Sequence, residues 1–436
     1  MLQKISVAIA VLALSACSQT TRLQEGNYNA KPGALDLSQI EFKSGVKLPF
    51  TVGIGSGAFH YAGDPQNVFY TVTDRGPNIK CKDTQKVAHV ANTSLCHGDK
   101  AGKVFPFPHF VPTIYKIMLK PDHSFSIIET VNLKDFVGQP ISGISNPLVT
   151  SNTEKAFTYN GDKIAFDPSG LDVESIVRLS DGTFWLSDEY GPSLVHVASD
   201  GRILKRLVPQ GLKNDLALAR YPVEDKLPGI LKWRKLNRGI ESIGVSPDEK
   251  SLYFMMQSPL ANPNVKTYKS SNAVRAFKLD IATGNVLGEY LYPLDNPTTF
   301  KADNAKHKRK QSDVKISELT ALANDRLLIL ERISATTKFY VVDLNSGTNI
   351  WGRKWDAEIV SPSLEQLGIK GMANKGVQAL SKSLVLNTDD RKNMPKKIEG
   401  IGLLDANTVM LINDNDFGIN HTKTTAVITH FTKPVF

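Results

Sequence analysis

Glu174, Glu241, Glu318 and Glu399 each stand at the start of a short apolar run. A second set of acids closes the run that follows: Asp74, then Asp188 with Glu189, then Glu331, then Asp414 with Asp416. Ser56 stands at the first opening and Gln257 at one of the closings, so the series is broken twice. Carboxylates gathered in one place repel, and a partly buried group of them is protonated or needs cations beside it. Hard oxygen ligands of this kind suit Ca²⁺, and Mg²⁺ or Mn²⁺ less well, better than zinc. Arg75 in TDRGPN, Arg238 in NRGIES and Arg332 in LERIS lie close by in sequence. Their guanidinium forks can pair with the acids or grip a phosphate ester. Any one of these acids taken alone reads equally well as a turn cap. Recurrence at one place in successive units is what points to a shared site.

The elements that must position them read as strands. In GLDVESIVRLSDGTFWLSDEYGPSLVHVASDGRILKRLV four β-type runs alternate with turn residues. The same grammar returns at IESIGVSPDEKSLYFMMQ, at ISELTALANDRLLILER and at IEGIGLLDANTVMLINDND, with a weaker copy at VGIGSGAFHYAGDPQNVFYTVTDRGP. Five recognisable copies of a four-stranded unit predict an all-β fold, a β-propeller of five to seven blades. Extra blades would lie in 138–170, 209–239 or 357–397. The last copy lacks a fourth strand, and DLSQIEF near the N-terminus is expected to supply it and close the ring. In each unit the first two strands form an antiparallel hairpin, so its two ends lie side by side. With the first strand lining the central channel, both sets of acids converge on one mouth. Trp185 is expected in a blade core and Tyr190 in the mouth loop. His60 is the one histidine placed to approach the channel; the others are scattered.

The first residues are set apart from this domain. MLQKISVAIAVLALSAC has a lysine, an apolar run too short to span a bilayer, and Leu-Ser-Ala-Cys, the pattern of a lipoprotein cleavage site. Residues 1–16 are therefore expected to be a signal peptide, with Cys17 lipidated and 17–37 a tether to a propeller domain at 38–436. An ordinary secretory signal with a chance cysteine is the alternative. Anchoring places the protein at the bacterial cell envelope, the outer membrane or its periplasmic face. Only Cys81 and Cys96 remain, and an oxidising compartment predicts a disulfide between them rather than a metal site. The net charge of +9 is dispersed apart from KADNAKHKRKQSD at 301–313, read as a solvated loop or a contact for anionic lipid or polysaccharide. Nucleic acid is excluded as a partner by the export signal and by the lack of a basic–aromatic motif. Nothing in the sequence marks an oligomeric state.

TDRGPN, GLDVESIVRLSDGTFWLSDEYGPSL, NRGIESIGVSPDEKSLYFMMQSPL and KKIEGIGLLDANTVMLINDNDFG resemble the phytase-like family, "esterase-like activity of phytase", across nearly the whole mature chain. The resemblance implies a phosphoesterase or phosphodiesterase site acting on a small phosphate ester with Ca²⁺ or another divalent metal. Under it Glu189 acts as general base beside Glu174, and Arg75 or Arg332 stabilises developing charge. The expected metal ligands are Asp74, Asp188, Glu241, Glu318, Glu331, Glu399 and Asp414. Two other readings stay open: a ligand- or protein-binding propeller without turnover, and a calcium-dependent lactonase or carboxyl esterase. A serine hydrolase is disfavoured, because GISNP and GSGAF do not form a nucleophile elbow before a helix.

Overall fold

The computed structural model describes residues 23–436. Five four-stranded antiparallel blades surround one axis. Blade one is Gly57–Phe59, Val68–Val72, Thr113–Leu119 and Ser124–Asn132; blade two is Val173–Arg178, Phe184–Asp188, Ser193–Val197 and Ile203–Pro209. Blade three is Ile240–Val245, Ser251–Met256, Ala273–Asp280 and Val286–Pro293; blade four is Lys315–Ala323, Arg326–Arg332, Thr337–Asp343 and Lys382–Asn387. Blade five is Ile398–Leu403, Thr408–Asn413, Thr425–His430 and, from the other end of the chain, Gly26–Ala30. The five first strands neighbour one another in a closed ring. Apolar residues of facing blades fill the wedges: Val173, Ile176 and Leu186 against Tyr70 and Ile114, and Leu328 and Leu330 against Ile401 and Leu411. Trp185 lies in such a wedge, as expected. Near the axis the packing is tighter still. A Cβ on Gly57 would fall 2.7 Å from the Glu174 carbonyl oxygen, so this inner strand admits only the smallest residue.

The propeller expectation holds, with the blade number at five. None of the three candidate stretches is a blade. Residues 138–170 supply two short strands to a small sheet, 209–239 holds Val223–Leu227 as a parallel fifth strand of blade two, and 357–397 contains the delayed fourth strand of blade four. The ring closes through an N-terminal strand, but not DLSQIEF. Gly26–Ala30, within the expected tether, pairs antiparallel with Thr425–His430 and parallel with the outer strand of blade one. DLSQIE instead forms a hairpin with Lys47–Thr51. The signal segment and Cys17 lie outside the described residues. No helix among the described residues is long and apolar enough to cross a membrane.

A small cap stands over one end of the channel. Its strands Ile79–Lys80, Lys103–Phe105, Ala156–Thr158 and Lys163–Ile164 carry two short helices, Thr84–Val87 and Asn92–Cys96. The expected disulfide is present, with Cys81 and Cys96 sulfurs bonded inside the cap's own apolar cluster.

Candidate functional site

Position in the mouth is set by a bulge repeated in four blades. Ser175 pairs with Ser187, Ser242 with Met255, Glu318 with Leu330 and Gly400 with Ile412. In each blade the residue just before that pair is skipped by the ladder: Glu174, Glu241, Ser317 and Glu399. A bulged residue is re-aimed out of the sheet's alternation, here toward the mouth. Two residues past each partner, at or just beyond the end of the second strand, stand Glu189, Gln257, Arg332 and Asp414, with Asp74 in the same place in blade one. The cleft they surround has a volume of about 550 Å³. Its walls include Asp74, Glu174, Glu189, Glu241, Glu399 and Asp414.

The register also shows which expected ligands stay out. Side chains alternate faces with a period of two, so a displacement of one residue sends an acid elsewhere. Asp188 precedes the mouth position by one and is fully buried; Arg206 Nη2 donates to its Oδ2 at 2.6 Å, and the Tyr190 and Asp172 amides and Ser193 hydroxyl also donate to it. Burial raises its pKa to about 6 despite Arg206. Glu331, also one short, accepts from Tyr292, Lys382 and the Asp295 amide. Glu318 lies one residue beyond the bulge and accepts from Ser175 Oγ at 2.5 Å, below the mouth. Arg75 lines the cleft, yet its donors are engaged by Gly143 O, Glu154 and Ser145 Oγ, and Tyr190 and Phe105 cover its faces. Arg332 lies behind the wall, donating to Ser317 and Ile333 O and ion-paired with Glu399. Tyr190 stands in the mouth loop as expected, but its ring is buried and its hydroxyl is engaged by Thr153 and the Glu154 amide. His60 lies at the far end of its strand and hydrogen-bonds Val68 O. The basic loop is an ordered insertion, tied by Asp303 to the amides of 334–336 and by the Lys301 amide to Asp389.

What remains in the cleft divides sharply. On blades one to three, oxygens of Asp74, Asp172 and Glu174 lie within 4.8 Å of one another, as do those of Glu174, Glu189 and Glu241. Burial, then repulsion from neighbouring acids, pushes Asp74, Glu174 and Glu189 well above the usual carboxylate range. Burial also raises Glu241, against the pull of Lys315, Arg332, Gln257 and Arg238. On blade five, Lys397 Nζ reaches Asp414 at 2.8 Å and Asp416 at 2.5 Å, and despite its burial Asp414 is held below the usual range. Blade four adds Lys315, which burial and the nearby Arg332 and Arg238 push well below the ordinary lysine value. Lys80, Lys82, Lys100 and Lys103 of the cap and Lys235 and Arg238 complete the rim.

Asp172, Lys315, Lys397 and the cap lysines were missed in the sequence reading. Three of them share a position that only the structure reveals. Asp172, Lys315 and Lys397 all stand two residues before a bulge, as Asp-x-Glu, Lys-x-Ser and Lys-x-Glu. The cap lysines carry no such pattern, because they reach the mouth through an insertion. The fit to a divalent cation rests on Asp172 in particular. It is 2% exposed, and its Oδ2 has no hydrogen-bond donor.

Comparison with known proteins adds a family. The family model for phytase-like proteins, esterase-like activity of phytase, matches residues 54–417. An uncharacterized secreted protein of Arthroderma benhamiae is 27% identical in an alignment of 287 residues that covers 58% of this chain and 53% of the relative. The chain thus spans about half the length of the curated relative it matches. Among solved structures, a luciferin-regenerating enzyme aligns over 92% of this chain and 98% of its own, at 8% identity and a TM-score of 0.35. The calcium-binding protein regucalcin of Agrobacterium tumefaciens aligns over 88% of this chain and 97% of its own, at 9% identity and a TM-score of 0.34.

Proposed function

This chain belongs to the phytase-like family, and on that premise we propose that its mouth is a metal-assisted phosphoesterase site acting on a small phosphate ester. The observation that supports the reading is the make-up of the cleft: carboxylates crowded enough to raise one another's pKa share it with a group of lysines and an arginine. A divalent cation satisfies the first and a phosphoryl group the second. Asp74, Asp172 and Glu174 would hold the ion, Ca²⁺ being the best match to an all-oxygen donor set. An ion bound there supplies positive charge to the phosphoryl oxygens as negative charge builds on them. Lys315 and Arg238, beside Glu241 and Glu189, offer N–H donors. Glu189 keeps one carboxylate oxygen free of the Gln257 amide and would take the proton of the attacking water. Arg75 and Arg332 hold the walls in place, because their donors are already used.

Export is part of the same proposal. The lipoprotein-like start, the disulfide and the secreted relative support an envelope protein with its mouth outside the cytoplasm. The test is hydrolysis of a panel of phosphomonoesters, phosphodiesters, carboxyl esters and lactones by the purified protein, with and without chelator. Chelator-sensitive phosphoester turnover is expected. Turnover of lactones or carboxyl esters alone would move the chemistry to that class. No turnover, with calcium still raising the melting temperature, would leave a binding propeller.

A further inference from the structure

Gln257 interrupts the ring of mouth carboxylates, and its amide is completely used. Nε2 donates to Glu189 Oε1 and to Glu241 Oε2, each at 2.6 Å. Oε1 accepts from Arg238 Nη1. A guanidinium only donates and a carboxylate oxygen accepts, so the amide has one workable orientation. We propose that Gln257 is a positioning residue that divides the acidic wall: Asp74, Asp172 and Glu174 form a site for one divalent cation, and Glu189 with Glu241 is kept free of any ion. This inference rests on the cation reading of the mouth.

The asymmetry between the two overlapping trios carries it. In the first, Asp74 Oδ1 and Asp172 Oδ1 accept only backbone amides, Asp172 Oδ2 is buried without a donor, its cation neighbour Arg75 Nη1 standing 3.6 Å away, and Glu174 accepts no side-chain hydrogen bond among the described residues. In the second, Glu189 and Glu241 each have one oxygen committed to the amide, and Ser317 Oγ lies 3.3 Å from the other oxygen of Glu241. The amide hydrogens also present positive charge to the space a second ion would take. Calcium gathers about six to eight oxygens, and only in the second trio does a side-chain amide bridge two of the carboxylates. Glu174 belongs to both trios and can serve one ion fully. With no ion between them, Glu189 and Glu241 stay fixed in relation to each other, and Glu189 faces the cleft as a proton acceptor.

The experiment is calorimetric titration of the chelator-stripped full-length protein with calcium chloride. The wild type is expected to take one calcium per chain. Asp172→Asn should weaken that ion by about tenfold or more, whereas Glu241→Gln should leave its affinity within about threefold. Gln257→Glu removes the two N–H donors, adds a third carboxylate to Glu189 and Glu241, and should raise the stoichiometry to two. A purely structural glutamine would not produce that gain. Two calcium ions in the wild type, equal weakening by Glu241→Gln and Asp172→Asn, or a single ion in a folded Gln257→Glu would each overturn the division. If Gln257→Glu does not fold, the Asp172→Asn and Glu241→Gln pair decides alone. No ion bound by the wild type would instead sink the cation reading itself.

Discussion

Asp188 and Glu189 are adjacent in sequence and opposite in circumstance, and the two halves of the mouth repeat that contrast at larger scale. Asp188 is surrounded by an arginine, a hydroxyl and backbone amides. Glu189 has one amide, and the pull of Arg238 and Lys315 does not offset burial and its like-charged neighbours. Likewise Asp414 comes with Lys397, while Asp74, Glu174 and Glu189 come with each other. Where the fold supplies the counter-charge, an acid holds the structure together. Where it does not, the missing charge must come from outside, and that is what makes a binding site.

The contrast is sharpest in turnover. Glu189→Gln should lower phosphoester hydrolysis by about 10²–10⁴-fold while leaving the melting temperature unchanged or higher, checked by steady-state kinetics beside thermal melts. A comparable loss of stability would place Glu189 with the structural acids. Next comes Asp188→Asn, which leaves Arg206 buried without its partner. Denaturant unfolding should show a loss of about 3–5 kcal/mol. Calcium at about 100 times its dissociation constant should stabilise the wild type by about 2.7 kcal/mol, and Glu174→Gln should remove most of that gain. A full calcium response in Glu174→Gln would break the assignment of the shared ligand.

The smallest effect is in pH dependence, and its sign differs between the halves. Asp74, Glu174 and Glu189 have raised pKa values in the folded state. Their contribution is fully present below the ordinary carboxylate range and is lost as pH rises through their folded values. The Asp414 pKa is lowered, so its contribution is present above that range and lost as pH falls through its folded value. Chelated protein should therefore lose melting temperature as pH rises from the ordinary carboxylate range, with Lys315 working against the loss, calcium should reduce it, and Lys397→Met should enlarge it. Melts from that range upward, with and without chelator, decide it.

The strand repeats and turns made five blades legible, since each hairpin carries its own alternation and its own turn residues. The mouth was legible to within one residue. Glu174, Glu189, Glu241 and Asp414 fell in place, whereas Glu318 and Glu331 did not, because a bulge leaves no mark in a two-residue alternation. Gly26–Ala30 was unreadable as a closing strand: GNYNA has no run of apolar residues, and its place is fixed by two edges it meets only in the fold. The fourth strand of blade four was hidden by distance, following its neighbour only after a long insertion.

That closing strand dictates the order in which the molecule can be completed. Asn29 and Thr425, 396 positions apart, are hydrogen-bonded side by side. The first strand among the described residues can meet the outer strand of blade one early, but its antiparallel partner is nearly the last strand of the chain. Until those two meet, blade five lacks its outer member. Closing so large a loop is entropically costly and kinetically late. A chaperone that shields Gly26–Ala30 in the meantime would find its target in the least hydrophobic strand of the ring.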